Sequence, residues 1–154
     1  MYYTRVFHCI LRMVTARQFY TRYVKLPPNE TPPEILAEPK FSAFKNCLGA
    51  LDGTHINMYV PTDATAWYRN RKGTISQNVL AACTFDMKFC YVHSGWEGSA
   101  ADGRIFEDAR QHDFVIPEGK YYLADAGFSC CQTLLTPYRG IRYHLKEWGQ
   151  AGQR

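Results

Sequence analysis

The chain reads as an α/β protein built on a mixed sheet, with a basic helix ahead of it. Three observations lead there. Apolar runs of strand length recur at residues 47–51, 79–83, 89–92 and 121–124. A stretch with helical apolar spacing, 101–112, falls between the third and fourth runs. The tight-turn tripeptide Asp86-Met87-Lys88 joins the second run to the third as a hairpin. At 154 residues, the chain suits one domain with a core of useful size.

Residues 1–24 are expected to form a helix, because Val6, Ile10, Met13 and Val14 fall near one stripe with arginines around it. Residues 1–25 carry Arg5, Arg12, Arg17, Arg22 and Lys25 and no acidic residue. Pro27, Pro28, Pro32, Pro33 and Pro39 make 26–40 an extended linker or strap, anchored in a short turn by Ile35 and Leu36. The compact domain starts near Phe41. Its first strand is 47–58, apolar through Leu51. Residues 61–70 are polar, a loop or short helical turn. Residues 76–85 and 89–95 form the hairpin, and 95–99 break it. The helix 101–112 has Ile105, Phe106 and Ala109 on one face. Residues 121–124 are the fourth strand, 127–137 a loop or short helical segment, and 141–148 a further strand or helix start.

A strand, a hairpin, a crossover helix and a returning strand form the opening half of a ribonuclease H-like fold. The first and fourth strands are then parallel neighbours. Asp52 follows the first apolar run and Asp125 the last, so the two emerge side by side although 73 residues separate them. Ligand sites of open α/β sheets lie at such strand ends. Two carboxylates projected from rigid strands suit a hard divalent cation such as Mg²⁺, which prefers oxygen ligands. A pair of such ions is the usual apparatus for phosphodiester cleavage.

Composition narrows the partners. The net charge of +4 leans towards a polyanion. Arg69, Arg71 and Lys72 stand beside Trp67 and Tyr68, a mixture that suits phosphates and bases, although a solvated charged face is the simpler account. A third basic group is Arg139, Arg142, His144 and Lys146. The six cysteines include no C-x-x-C pair, which speaks against zinc and for a reducing, intracellular setting. No run is long enough to span a bilayer, and no signal peptide is evident. A G-x-S-x-G elbow and a P-loop are both missing, which argues against serine hydrolases and NTPases.

Five blocks in order carry a family resemblance. They are Gly49-Ala-Leu-Asp-Gly-Thr-His-Ile56, then Arg71-Lys72-Gly73 with Ser76-Gln77-Asn78-Val79. Next come Gly95-Trp-Glu-Gly-Ser-Ala-Ala-Asp102-Gly-Arg-Ile-Phe106, Tyr122-Leu-Ala-Asp-Ala-Gly-Phe128 and Leu135-Thr-Pro-Tyr138. Together they resemble the PIF/Harbinger-type DDE transposases and the nucleases derived from them. The resemblance implies a ribonuclease H-like core and a metal-dependent nuclease or transposase acting on DNA in the nucleus, with a protein partner for DNA targeting. It implies Asp52 and Asp125 as the first two catalytic acids, holding Mg²⁺ or Mn²⁺, with Asp102 at a further acidic position. With DNA as the expected substrate, the basic and aromatic cluster Arg69, Arg71, Lys72, Trp67 and Tyr68 is the candidate nucleic-acid contact.

The chain departs from the family in two places. The third acid, a glutamate on a later helix, has no match. Glu147 lies 22 residues past Asp125 in what reads as a strand, and is a poor substitute. The helix-turn-helix region expected upstream is largely missing. The chain therefore reads as a fragment or decayed copy, with impaired catalysis.

Simpler accounts stand beside these. Asp52-Gly53 is also a common turn dipeptide, and Asp125-Ala126-Gly127 a loop start. Asp102 is equally an N-cap, and Ser99 and Thr54 capping hydroxyls. His55 fits a structural role, and Trp67, Tyr68, Trp96 and Trp148 fit the core. A haloacid dehalogenase-like phosphatase would need an aspartate where Ala50 stands. A non-catalytic nucleic-acid or protein-interaction module is the remaining alternative.

Overall fold

The computed structural model describes residues 2–141. Its frame is one five-stranded mixed sheet. The strands are β1 (Cys47–Asn57), β2 (Ser76–Cys83), β3 (Phe89–Glu97), β4 (Tyr121–Leu123) and β5 (Leu134–Leu135), in spatial order β3-β2-β1-β4-β5. β1 and β2 pair antiparallel, as do β2 and β3, while β4 lies parallel to β1 and β5 parallel to β4. This mixed sheet with its crossover helix is the ribonuclease H-like layout expected from the element order. β5 was not anticipated; it lies in the segment read as loop or helix.

The hairpin turns at Met87, whose left-handed backbone (φ 64°) is uncommon for a side-chain-bearing residue. Met87 N–H donates to the Thr84 carbonyl, and Thr84 is bonded through its hydroxyl to Asp86. The crossover from β3 to β4 runs through α5 (Asp102–His112), which buries Ile105, Phe106 and Ala109 against the sheet.

The core is aromatic. Phe114, fully buried just after α5, stacks on Tyr91 at 4.4 Å and meets Tyr122 at 5.2 Å and Phe106 at 6.2 Å. Leu48, Leu51, Leu80 and Leu134 complete the packing. Trp96 packs on its margin, with the Arg104 guanidinium over its ring at 5.7 Å.

The amino-terminal helix is two helices rather than one, α1 (Tyr2–Val14) and α2 (Arg17–Tyr23). Thr15 turns its hydroxyl back onto the Leu11 carbonyl, and Ala16 is extended. Neither helix buries a residue. Tyr20 gives α2 a foothold by donating to the Val92 carbonyl on β3 (3.4 Å). The proline-rich segment is broken by a single turn, α3 (Pro33–Leu36). There Ile35 is the buried anchor, while Leu36 faces solvent. A 3₁₀ helix, Pro39–Phe44, then leads into β1.

Candidate functional site

Cys47, Leu48 and Leu51 are buried, but from Asp52 onward β1 emerges into solvent. Asp52 lies in mid-strand, since β1 continues to Asn57; the turn account of Asp52-Gly53 does not hold. What ends near Asp52 is the partnership with β4. Ala50 pairs with Leu123, so Asp52 and Asp125 each lie two residues beyond that last rung. The register thus brings together two acids distant in sequence.

Each carboxylate is braced by its own backbone. Gly53 N–H donates to Asp52 Oδ1 (2.8 Å), and Gly127 N–H to Asp125 Oδ1 (2.8 Å). The Asp125 loop is clamped by Arg139, which donates from Nε to the Ala126 carbonyl (2.9 Å) and from Nη2 to that of Gly127 (3.2 Å).

Asp102 is the third acid here, placed by another route. It is not the N-cap; Ala101 occupies that position. The Asp102 side chain instead accepts from Asn78 Nδ2 (2.6 Å) and lies against Gly53, where a Cβ would collide with it. Alternation along β1 turns Gly53 and Asp52 to opposite faces. Asp102 therefore approaches from the α5 face, one residue from Asp52. Asp52 has its acidity weakened, first by partial burial and then by the charges of Asp125 and Asp102, against the opposing Gly53 hydrogen bond.

Among the described residues, no lysine, arginine or histidine forms an ion pair with any of these three acids. Nor does any group of three or more His, Cys, Asp or Glu there stand ready to hold a metal ion. The donor chemistry nevertheless fits a hard cation: oxygen ligands in register and crowded negative charge without a counter-ion. Glu147 and Trp148, with Arg142, His144 and Lys146, fall outside the described residues.

The basic turn lies further along the same strands. Asn57 pairs with Ser76, five residues beyond Asp52, or about 17 Å along the strand. Asn70 builds the turn: its Nδ2 donates to the Thr74 and Ser76 hydroxyls, and its Oδ1 accepts from the Lys72 and Thr74 amides. Gly73 takes the left-handed backbone (φ 83°) that closes it. Arg69 donates to the Gly73 carbonyl, while Arg71 and Lys72 point into solvent. Trp67, expected mainly as core, is 68% exposed in α4 (Thr65–Tyr68), with Tyr68 half-buried beside it. His55 has a structural partner, the Ser76 hydroxyl at 3.1 Å.

Two residues gained significance only from the folded chain. Asn78 had appeared merely as part of a motif; its bond to Asp102 spans 24 positions, beyond any local pattern. Tyr59, fully exposed just past β1, follows an apolar strand and carried no separate signal.

The sheet order and its crossover helix define the ribonuclease H-like class of fold. The chain belongs to the DDE superfamily endonuclease family, whose model matches residues 51–153. It is also similar to a protein named "Protein ALP1-like" from Arabidopsis thaliana, with 31% identity over 121 residues. That match covers 66% of this chain and 29% of the relative, so the chain spans under a third of the relative's length. No solved structure matches it. Endonucleases of this superfamily are generally dependent on divalent metals. No helix among the described residues is long and apolar enough to cross a membrane.

Proposed function

We propose that this chain carries the metal-holding part of a DNA endonuclease of the transposase-derived kind, acting in the nucleus. The observation that carries the proposal is the parallel pairing of β1 with β4, which puts Asp52 and Asp125 at equivalent positions past the rung Ala50–Leu123. Asp52 and Asp125 would hold Mg²⁺ or Mn²⁺, with the charge of Asp102 beside them. The bound cation supplies Lewis-acid stabilisation of the phosphate and an activated water. The chain's own residues prepare that place. Gly53 and Gly127 amides orient the two carboxylates, and Arg139 holds the loop behind Asp125.

DNA contact is assigned to Arg69, Arg71, Lys72, Trp67 and Tyr68. The turn that carries them follows the rung Asn57–Ser76, which lies about 17 Å along β1 from Asp52, a span of about five phosphates of one strand at 3.4 Å each. Cations at the turn then neutralise the backbone while a scissile phosphate lies at the acids. A protein partner for DNA targeting completes the proposal.

Mn²⁺ calorimetry on the full chain tests it. Binding is expected for the parent protein and loss of binding for the Asp52→Ala/Asp125→Ala double variant. Equal affinity in the two would reject the site. Plasmid nicking is expected to be weak. One observation favours a non-catalytic interaction module instead: the exposed apolar stripe of α1, a surface suited to a protein partner. That alternative predicts no metal uptake.

A further inference from the structure

We infer that Asn78 is a positioning residue of the acidic site, fixing the Asp102 carboxylate in the gap left by Gly53. This deepens the metal-centre proposal above and rests on it. Asn78 sits in β2 opposite His55 and is 1% exposed. Its amide nitrogen donates both to Asp102 Oδ1 (2.6 Å) and to the Ala100 carbonyl (3.1 Å). Two acceptors define which end of the amide faces α5.

The other end is the telling one. Asn78 Oδ1 is buried without a hydrogen-bond partner. An orphaned buried oxygen is unfavourable, and an apolar side chain of similar size would fill the same space without it. Packing alone therefore does not account for an asparagine here. The benefit is at the nitrogen, which holds the Asp102 carboxylate in the first turn of α5.

Gly53 is the opposing wall. Its missing Cβ is the space the Asp102 carboxylate occupies, next in sequence to Asp52. Amide and glycine together hold a third negative charge one residue from Asp52, across the strand but near enough for its charge to weaken the acidity of Asp52. Residues that brace a metal site from behind typically alter its affinity 10- to 100-fold when removed.

The test is Mn²⁺ calorimetry with thermal melts on the full chain. The proteins are the parent, Asn78→Ala, Gly53→Ala and Asp102→Asn, and the first two changes each combined with Asp102→Asn. Asn78→Ala and Gly53→Ala are each expected to weaken Mn²⁺ binding roughly tenfold. Neither should weaken it further once Asp102 is asparagine. The inference is overturned if Asn78→Ala lowers the melting temperature yet binds Mn²⁺ like the parent. It is also overturned if the loss persists in full in the Asp102→Asn background, since Asn78 would then act only by docking α5. Should Asn78→Ala not fold, Asn78→Leu, an apolar side chain of similar size, takes its place under the same two criteria. A folded parent that takes up no Mn²⁺ is a different failure, which removes the metal centre itself and this inference with it.

Discussion

The α1–α2 arm and the sheet are both rich in apolar and aromatic residues, yet they use them in opposite ways. In and against the sheet, Leu80, Phe114, Tyr122 and Leu134 are removed from water almost completely. In the arm, Phe7, Ile10, Met13 and Tyr23 remain exposed. The difference teaches that apolar content does not make a core; a second layer does. β2 and β3 have α5 to pack against. α1 buries no residue and, among the described residues, has α2 as its main neighbouring element, and an isolated helix of 13 residues is marginal in water. The contrast also bears on function, because the acids need a rigid base and stand on the region that has one.

The largest effect is expected at the aromatic hub. Phe114→Ala should cost about 3–5 kcal/mol in denaturant unfolding, a large part of the stability of a domain this size. A loss below about 1 kcal/mol would show the sheet to be no better packed than the arm. At the other pole, Ile10→Ala in α1 should cost less than about 0.5 kcal/mol. Hydrogen exchange should find the α1 amides opening with little cost while β1 and β2 stay protected to the global limit. Strong protection in α1 would reveal a packing partner for that helix and erase the distinction.

The smallest effect lies where α5 meets β3 at the rim of the core. Asp108 accepts from His93 Nε2 (2.8 Å) and stands 3.6 Å from His112 Nδ1. The His93 bond, foremost, holds the Asp108 carboxyl below its usual range. The Asp108 backbone carbonyl, then its charge, raises His112. A lowered acid stabilises the fold above its unfolded value of about 3.9 and loses that contribution as pH falls through its folded value. A raised histidine stabilises below about 6.5 and loses its share as pH rises through its folded value. The combined support is therefore greatest between about pH 4 and 6.5. Thermal melts across pH 3–9 should show a shallow optimum there that Asp108→Asn flattens; an unchanged profile would discount the contact.

How far these features were legible follows from the range of the interactions behind them. β1 to β4 were visible because burial imposes apolar runs and the hairpin needs a turn. β5 was not, since Leu134 and Leu135 are too few to show alternation. The break between α1 and α2 was hidden because Thr15 and Ala16 are not helix breakers like proline or glycine. The equivalent placing of Asp52 and Asp125, two residues past the last β1–β4 rung, was foreseeable from topology, although Asp52 lies within its strand rather than after it. The setting of Asp102 was not. It depends on a side chain 24 positions earlier and on a missing methyl group at Gly53. The exposure of Trp67 was equally hidden, because a helix of four residues has no period to mark its inner face.

The parallel rung between Ala50 and Leu123 also orders events in time. A hairpin zips from a local turn, but a parallel neighbour must wait until the chain between has closed its long loop. The two acids are therefore expected to come into register after the hairpin has formed. Nascent or half-folded chains would present isolated aspartates and no joint grip on a cation. Under the function proposed above, cation uptake would then report that the parallel pairing had formed.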